Sequence, residues 1–336
     1  MTPASPSHAG VRLHIVTGKG GTGKTTVAAA LALALARQGK RVLLAEVEER
    51  QGISQTFDVP PLGHEETRIV HERGGGELYG MSVDVRESLM DYLQKFYKLG
   101  RAGTVLEKAG AVDFATTVAP GLRDVLLIGK VYEAAGRRHT GRHHDRGGPA
   151  YDAVVLDAPP TGRVVRFLNV NAEVADVAKV GPIRTQADSI TRMLRSHTTA
   201  VHVVSLLEEM PVQETVDALA ELKKAALPVG AVIINQVHGQ ALDGGDLETV
   251  AADPDGLDAA VTADLKSVSV RTSAAMVTGL LAEGTEHADR VAHQQEQEAI
   301  LTGLGRQVYR LPLLPEGTEA GGIRVLADAL TEQGMI

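Results

Sequence analysis

Two lysines, Lys19 and Lys24, stand five residues apart in the glycine-rich run VTGKGGTGKTT, Val16 to Thr26. Gly18, Gly23, Lys24 and Thr25 satisfy the spacing G-x-x-x-x-G-K-[ST], whose chemistry is phosphate binding. Glycines let the backbone turn so that its N–H groups face phosphate oxygens. The helix that starts near Lys24 adds partial positive charge, Lys24 reaches the β- and γ-phosphates, and Thr25 offers a hydroxyl to Mg²⁺. Gly20, Gly21, Thr22 and Thr26 complete the loop as candidate nucleotide contacts. A phosphate cradle needs one lysine, so Lys19 requires a separate role.

A carboxylate belongs beside such a loop. In YDAVVLDAPPTGRVVRFL, Asp157 ends an apolar run, which places it at the carboxyl edge of a sheet, where open α/β folds bind ligands. There it would hold Mg²⁺, usually through water, and the Pro-Pro-Thr-Gly turn after it would move with the γ-phosphate. Thr25 and Asp157 are the two candidate metal residues.

These residues need a scaffold that brings distant segments to one edge. Apolar runs with strand character recur at Leu13–Thr17, Val42–Glu46, Leu78–Val83, Ala153–Asp157, Ala200–Leu206, Val229–Asn235 and Gln307–Leu311, with helical patterns between most of them. That alternation predicts an α/β fold, a largely parallel sheet with helices on both faces. The gap between Val83 and Ala153 shows no strand. Its apolar residues fall at helical spacing (Leu89, Leu93, Phe96 and Tyr97; then Val125, Ile128, Val131 and Tyr132), which predicts a helical insertion. A second helical stretch, Ala172–Ser196, would pack beside it. The chain thus divides into a disordered tail (1–10), a first part of the nucleotide-binding core (11–84), a helical insertion (85–149), the Asp157 strand and turn (150–171), a second helical part (172–198) and the rest of the core (199–336). The basic run Gly136–Gly148 and the acidic run Gly239–Asp258 read as solvated loops. His139, His143 and His144 lie in the first of these, where neighbouring arginines oppose a metal cation.

Composition narrows the partners. A net charge of -8 and a pI near 5.9 give no general attraction to nucleic acid or anionic lipid. With no cysteine among the 336 residues, disulfides, thiolate zinc sites and cysteine-ligated clusters are excluded. No apolar run reaches the length of a membrane span, and the first residues lack the pattern of a signal peptide, so a cytoplasmic location is expected.

The segment GKGGTGKTT resembles the variant phosphate loop K-G-G-x-G-K-[ST] of the signature-lysine ATPases, and DAPPTGRVVRFL resembles the switch segment of one branch, that of the arsenite-pump ATPase and the ATPase targeting tail-anchored proteins. The resemblance implies an ATPase that binds ATP and Mg²⁺. It also implies a dimer, in which Lys19 reaches the nucleotide of the opposite subunit and neutralises charge developing during transfer. VIINQ is similar to the branch's adenine-contacting strand end, making Asn235 the base reader, and LPLLPEG, with Pro312 and Pro315, is similar to its closing loop over the nucleotide. The helical insertion sits where the branch keeps its client-binding helices.

Departures are equally specific. Without cysteine the chain lacks the branch's thiolate metalloid site and its C-x-x-C zinc clasp. Alignment of AEVEERQGISQTF on Phe57 puts Gln55 where the branch has the carboxylate that orients the attacking water, and Glu48 where it has an earlier Asp; Arg163 replaces a His. The expected function is a dimeric Mg-ATPase whose nucleotide state moves a client-handling helical subdomain. Lys19, Lys24 and Gln55 are its catalytic candidates. Alternatives are a slowly hydrolysing nucleotide-sensing subunit paired with a paralogous ATPase, and a partition-type organiser at the membrane surface. Expected partners are a second copy or a paralogue, and a protein client or membrane protein.

Overall fold

The computed structural model describes residues 8, 10–48, 50–97, 120–138, 148–169, 182–239, 241–252, 255–315, 317 and 320–336. One eight-stranded sheet runs through it, in the order β3-β4-β2-β5-β1-β6-β7-β8. The strands are β1 (Leu13–Gly18), β2 (Arg41–Glu46), β3 (Thr67–His71), β4 (Glu77–Ser82), β5 (Ala153–Asp157), β6 (Thr199–Ser205), β7 (Val229–Val237) and β8 (Val308–Pro312). Every pairing is parallel except β3 with β4. Parallel neighbours end at the same edge, so Gly18, Glu46, Asp157, Ser205 and Val237 gather there.

The seven strands expected from the apolar runs are present, and β3 is an addition. Its segment, TRIVH, forms an edge hairpin with β4 and is mostly exposed, so it carries little of the apolar signal that marks the buried strands. The acidic run expected as a solvated loop is also corrected, since Gly244–Ala252 is helical. Its Asp243 carboxylate accepts from the Asp246 N–H at 2.9 Å, a cap that starts a helix in a segment whose glycines suggest coil.

Eleven helices are defined among the described residues: α1 (Lys24–Arg37), α2 (Gly52–Phe57), α3 (Val85–Tyr97), α4 (Pro120–Gly136), α5 (Thr161–Leu168), α6 (Pro182–Leu194), α7 (Glu209–Lys224), α8 (Gly244–Ala252), α9 (Asp258–Ser267), α10 (Ala274–Gly303) and α11 (Ala320–Glu332). They cover both sheet faces. On one face α1 and α11 pack together, and every residue of α1 from Val27 to Ala36 is buried. Alanines let the neighbouring backbones approach closely, and leucines and a valine fill the remaining space. The apolar stripe of α11, Ile323, Leu326 and Leu330, is buried in the same cluster, so it packs on the sheet and offers no face to lipid.

On the other face lie α3, α4, α5 and α6. Leu89, Tyr92, Val125, Ile128 and Val131 are buried in one cluster with Leu13, Ile15 and Leu156 of the sheet. The described residues of those faces are therefore core, and the side chains of Phe96 and Tyr97 lie outside the described residues. The expected insertion between 98 and 119, the three histidines of the basic run, and residues 170–181 of the second helical stretch lie outside the described residues. No helix among the described residues is long and apolar enough to cross a membrane.

Candidate active site

The phosphate loop connects β1 to α1 at the centre of the sheet. Gly23 precedes α1 with φ 82°, in the left-handed region that favours glycine. A Cβ there would also stand 2.3 Å from the Asn235 side-chain nitrogen, so any other residue would have to push the Asn235 amide off the Thr22 carbonyl it braces. By contrast, a Cβ on Gly20 or Gly21 would meet nothing within 4 Å. The outer face of the loop is open to a ligand. The Thr22 hydroxyl donates to the Lys19 carbonyl at 2.9 Å, and the Asn235 amide donates to the Thr22 carbonyl at 2.9 Å. Asn235 thus braces the loop from the end of β7.

Thr25 and Asp157 are brought into direct contact, the hydroxyl donating to Oδ2 at 2.5 Å. Burial raises the Asp157 carboxyl to about 6, and its neighbours Glu46 and Glu48 push the same way, against the Thr25 hydrogen bond and the Lys24 charge. Burial likewise pushes the Lys24 ammonium down, while Asp157 and Glu48 hold it up. A carboxylate and an ammonium are both held here at a desolvation cost, as expected of groups placed for a charged ligand. No cluster of three His, Cys, Asp or Glu capable of holding a metal occurs among the described residues. A hydroxyl and one carboxylate beside a phosphate loop nevertheless fit Mg²⁺, which keeps several waters and takes its other ligands from substrate phosphates.

The turn after Asp157 is tied to the same edge. The Thr17 hydroxyl donates to the Pro159 carbonyl at 2.7 Å, and the Ala158 N–H donates to the Val16 carbonyl at 3.0 Å. Thr161 opens α5, and its hydroxyl donates to Glu214 of α7 at 3.0 Å. The other Glu214 oxygen meets the Lys19 ammonium at 3.1 Å. Lys19 is therefore held within its own chain by a residue that the sequence does not single out.

Glu46 is a second residue missed from the sequence. Buried at the end of β2, it accepts the backbone N–H groups of Gln51 at 3.0 Å and Ile53 at 3.2 Å. It thereby fixes the start of α2, the helix carrying Gln55. Gln55 itself is exposed. Glu48 is better placed to act on the site: it faces Arg163 at 3.6 Å and contributes to the electrostatics of both Lys24 and Asp157. Pro312 is the register partner of Val237 and, like Pro315, is exposed. Their segment leaves the sheet at the loop's edge and next to the Asn235 strand end.

A family model described as "Anion-transporting ATPase" matches residues 11–196, the span that contains the phosphate loop, Glu46 and the Asp157 turn. The chain belongs to the anion-transporting ATPase family. A relative named "ATPase BagA", from Mycobacterium tuberculosis (strain ATCC 25618 / H37Rv), is 45% identical over 97% of this chain and 94% of its own length. More distant are a "Putative arsenical pump-driving ATPase" of Chlorobaculum tepidum, 27% identical over 71% of this chain and 64% of its own length, and an "ATPase ASNA1 homolog" of Entamoeba dispar, 25% identical over 66% and 75%. As a member of the anion-transporting ATPase family the chain is an ATPase. Glu214, Asn235 and the Pro312–Pro315 segment all lie beyond the span that defines the family match.

Proposed function

We propose that this ATPase works as a Mg²⁺-dependent dimer whose nucleotide state drives its helical subdomain, with Lys24 and the loop backbone holding the phosphates and Lys19 acting on the nucleotide of the opposite subunit. The contact between Thr25 and Asp157 carries this reading: it puts a hydroxyl and a desolvated carboxylate side by side at the N-terminus of α1. Bound Mg²⁺ would supply charge neutralisation on the β- and γ-phosphate oxygens. Asn235 contributes base contact together with its brace on Thr22, and the Pro312–Pro315 segment covers the nucleotide.

Movement would pass from the Asp157 turn into α5, which starts at Thr161, and from α5 into α4, which packs on it. Because the described apolar faces of α3 and α4 are buried in the core, these helices serve as a lever. A protein or membrane-protein client would then be met by other surfaces of the subdomain. The absence of cysteine argues against a soft metalloid as cargo, since such ions prefer thiolates.

A second reading, a slowly hydrolysing sensor paired with a paralogous ATPase, is favoured by the exposure of Gln55. An amide accepts a proton poorly, and an exposed one is not held against the phosphate loop. The test is phosphate release per subunit across a range of protein concentration, with Mg²⁺ varied and with Lys19→Ala alongside. Turnover that rises with concentration, needs Mg²⁺ and falls in Lys19→Ala supports the crossed dimer. Flat turnover with an active Lys19→Ala rejects it. Very low turnover that rises only on addition of a paralogue selects the second reading.

A further inference from the structure

We infer that Glu214 is a latch that holds the signature lysine in its own subunit until the Asp157 turn moves. The inference rests on the crossed-lysine reading above. One carboxylate joins three segments distant in sequence. Oε1 meets the Lys19 ammonium of the phosphate loop at 3.1 Å, Oε2 accepts from the Thr161 hydroxyl at 3.0 Å, and the side chain itself is anchored on α7. Val212, Thr215, Ala218 and Leu222 fix α7 against the sheet, so Glu214 is carried on a rigid element at the rim of the site.

A lysine paired in this way is not available to a second nucleotide. To act across an interface, its ammonium must exchange the Glu214 carboxylate for phosphate oxygens. The pair is built for that exchange. With side-chain exposures of 29% for Lys19 and 36% for Glu214, it is solvated enough to be weak. Phosphate, with more charge and more acceptor oxygens, outcompetes it.

Thr161 gives the latch a trigger. It is almost fully buried and is the first residue of α5, directly after the Ala158-Pro159-Pro160 turn. While the turn stays in place, the Thr161 hydrogen bond fixes one carboxylate oxygen and aims the other at Lys19. Movement of the turn toward a γ-phosphate withdraws that hydrogen bond, frees the carboxylate to rotate, and loosens the grip on the lysine. ATP in one subunit would thus release the lysine needed by the other.

The experiment compares wild type, Glu214→Gln, Lys19→Ala and the double variant, measuring phosphate release per subunit against protein concentration. In parallel, sedimentation follows dimer formation with a non-hydrolysable ATP analogue. An exposed pair contributes up to about five-fold to an equilibrium, and a dimer must open two latches. Glu214→Gln is therefore expected to lower the half-maximal protein concentration, by up to roughly 25-fold. The shift should shrink as salt rises. In the Lys19→Ala background, where there is nothing to hold, Glu214→Gln should move the sedimentation curve no further. Superposed curves for wild type and Glu214→Gln at low salt, or an equal shift without Lys19, would overturn the latch and leave the crossed lysine standing. Wild-type turnover independent of concentration, with Lys19→Ala fully active, would remove the crossed lysine and the latch together.

Discussion

Replacing Asp157 by Asn should make the nucleotide-free protein more stable while destroying its activity. Burial beside Glu46 and Glu48 raises the Asp157 carboxyl from its ordinary value of 3.8 to about 6, even though Thr25 and Lys24 oppose the rise. Between those values the native state binds a proton that the unfolded chain releases, so stability falls as pH rises through this window and stays lower above it. A rise of roughly two pH units corresponds to on the order of 3 kcal/mol. Because Asp157 keeps some exposure to the cleft, that figure is an upper bound. Asn is nearly isosteric and uncharged, and it retains an acceptor for the Thr25 hydroxyl. The assay is urea unfolding of both proteins without nucleotide, at pH 8 and at steps below pH 6. Asp157→Asn should be the more stable at pH 8, with its advantage shrinking by about 1.4 kcal/mol per pH unit below pH 6. Saturating Mg-ATP should reverse the order, because only wild type keeps the carboxylate for the metal and gains fully from ligand linkage. An Asp157→Asn protein that is less stable than wild type at pH 8, or whose advantage does not depend on pH, would refute the argument that a desolvated charge is stored at this site.

Three further outcomes are expected. Lys24→Ala should weaken binding of a fluorescent ATP analogue at least about 100-fold, since desolvated phosphate oxygens lose their fixed cation; unchanged affinity would mean that the glycine loop is not the site. In steady-state phosphate release, Glu48→Gln should slow turnover more than Gln55→Ala does, because Glu48 shares the electrostatic environment of Lys24 and Asp157 whereas Gln55 is exposed. If the order is reversed, water is positioned from α2. The buried pair His14 and His202, joined at 3.1 Å, should make the fold acid-sensitive: burial drives His14 from 6.5 down to about 3, with His8 and Lys40 pushing the same way, and holds His202 well below its usual range. The unfolded chain binds protons that the native state refuses, so stability is lost as pH falls below about 6.5, at about 2 kcal/mol for His14 alone by pH 5. His14→Gln should flatten that pH dependence in urea midpoints, and an unchanged slope would show that His14 is not its source.

The sequence was most legible where one residue type has one physical use. The inner parallel strands announce themselves because strands buried on both faces are nearly continuously apolar, the edge strand Val308–Pro312 shows instead through its alternation of buried Tyr309 and Leu311 with exposed Arg310, and the glycine at position 23 is favoured by its φ of 82°. The edge strand Thr67–His71 escaped because half-exposed edges need no such run. Glu46 reads simply as the last residue of a strand, since its work is to accept backbone N–H groups, and backbone donors leave no mark in a sequence. Glu214 was hidden for another reason. Its partners, Lys19 and Thr161, come from segments that only the sheet order brings together, and an acidic residue on an amphipathic helix ordinarily faces water. Gln55 was reached by register alignment alone. Alignment places a residue on its element without saying which way the side chain points, and here it is exposed.

The burial of α1 on every side has a consequence for how this family diversifies. From Val27 to Ala36 each residue is enclosed, so a larger side chain anywhere along that stretch has nowhere to go, and a smaller one opens a cavity beneath the phosphate loop. Divergence between relatives should collect in α8, α9 and α10, where partly exposed surfaces tolerate change, while α1 accepts almost none. A saturation library scored for folding should show the asymmetry directly: nearly every substitution inside α1 lost, and most of those on the solvent face of α10 retained.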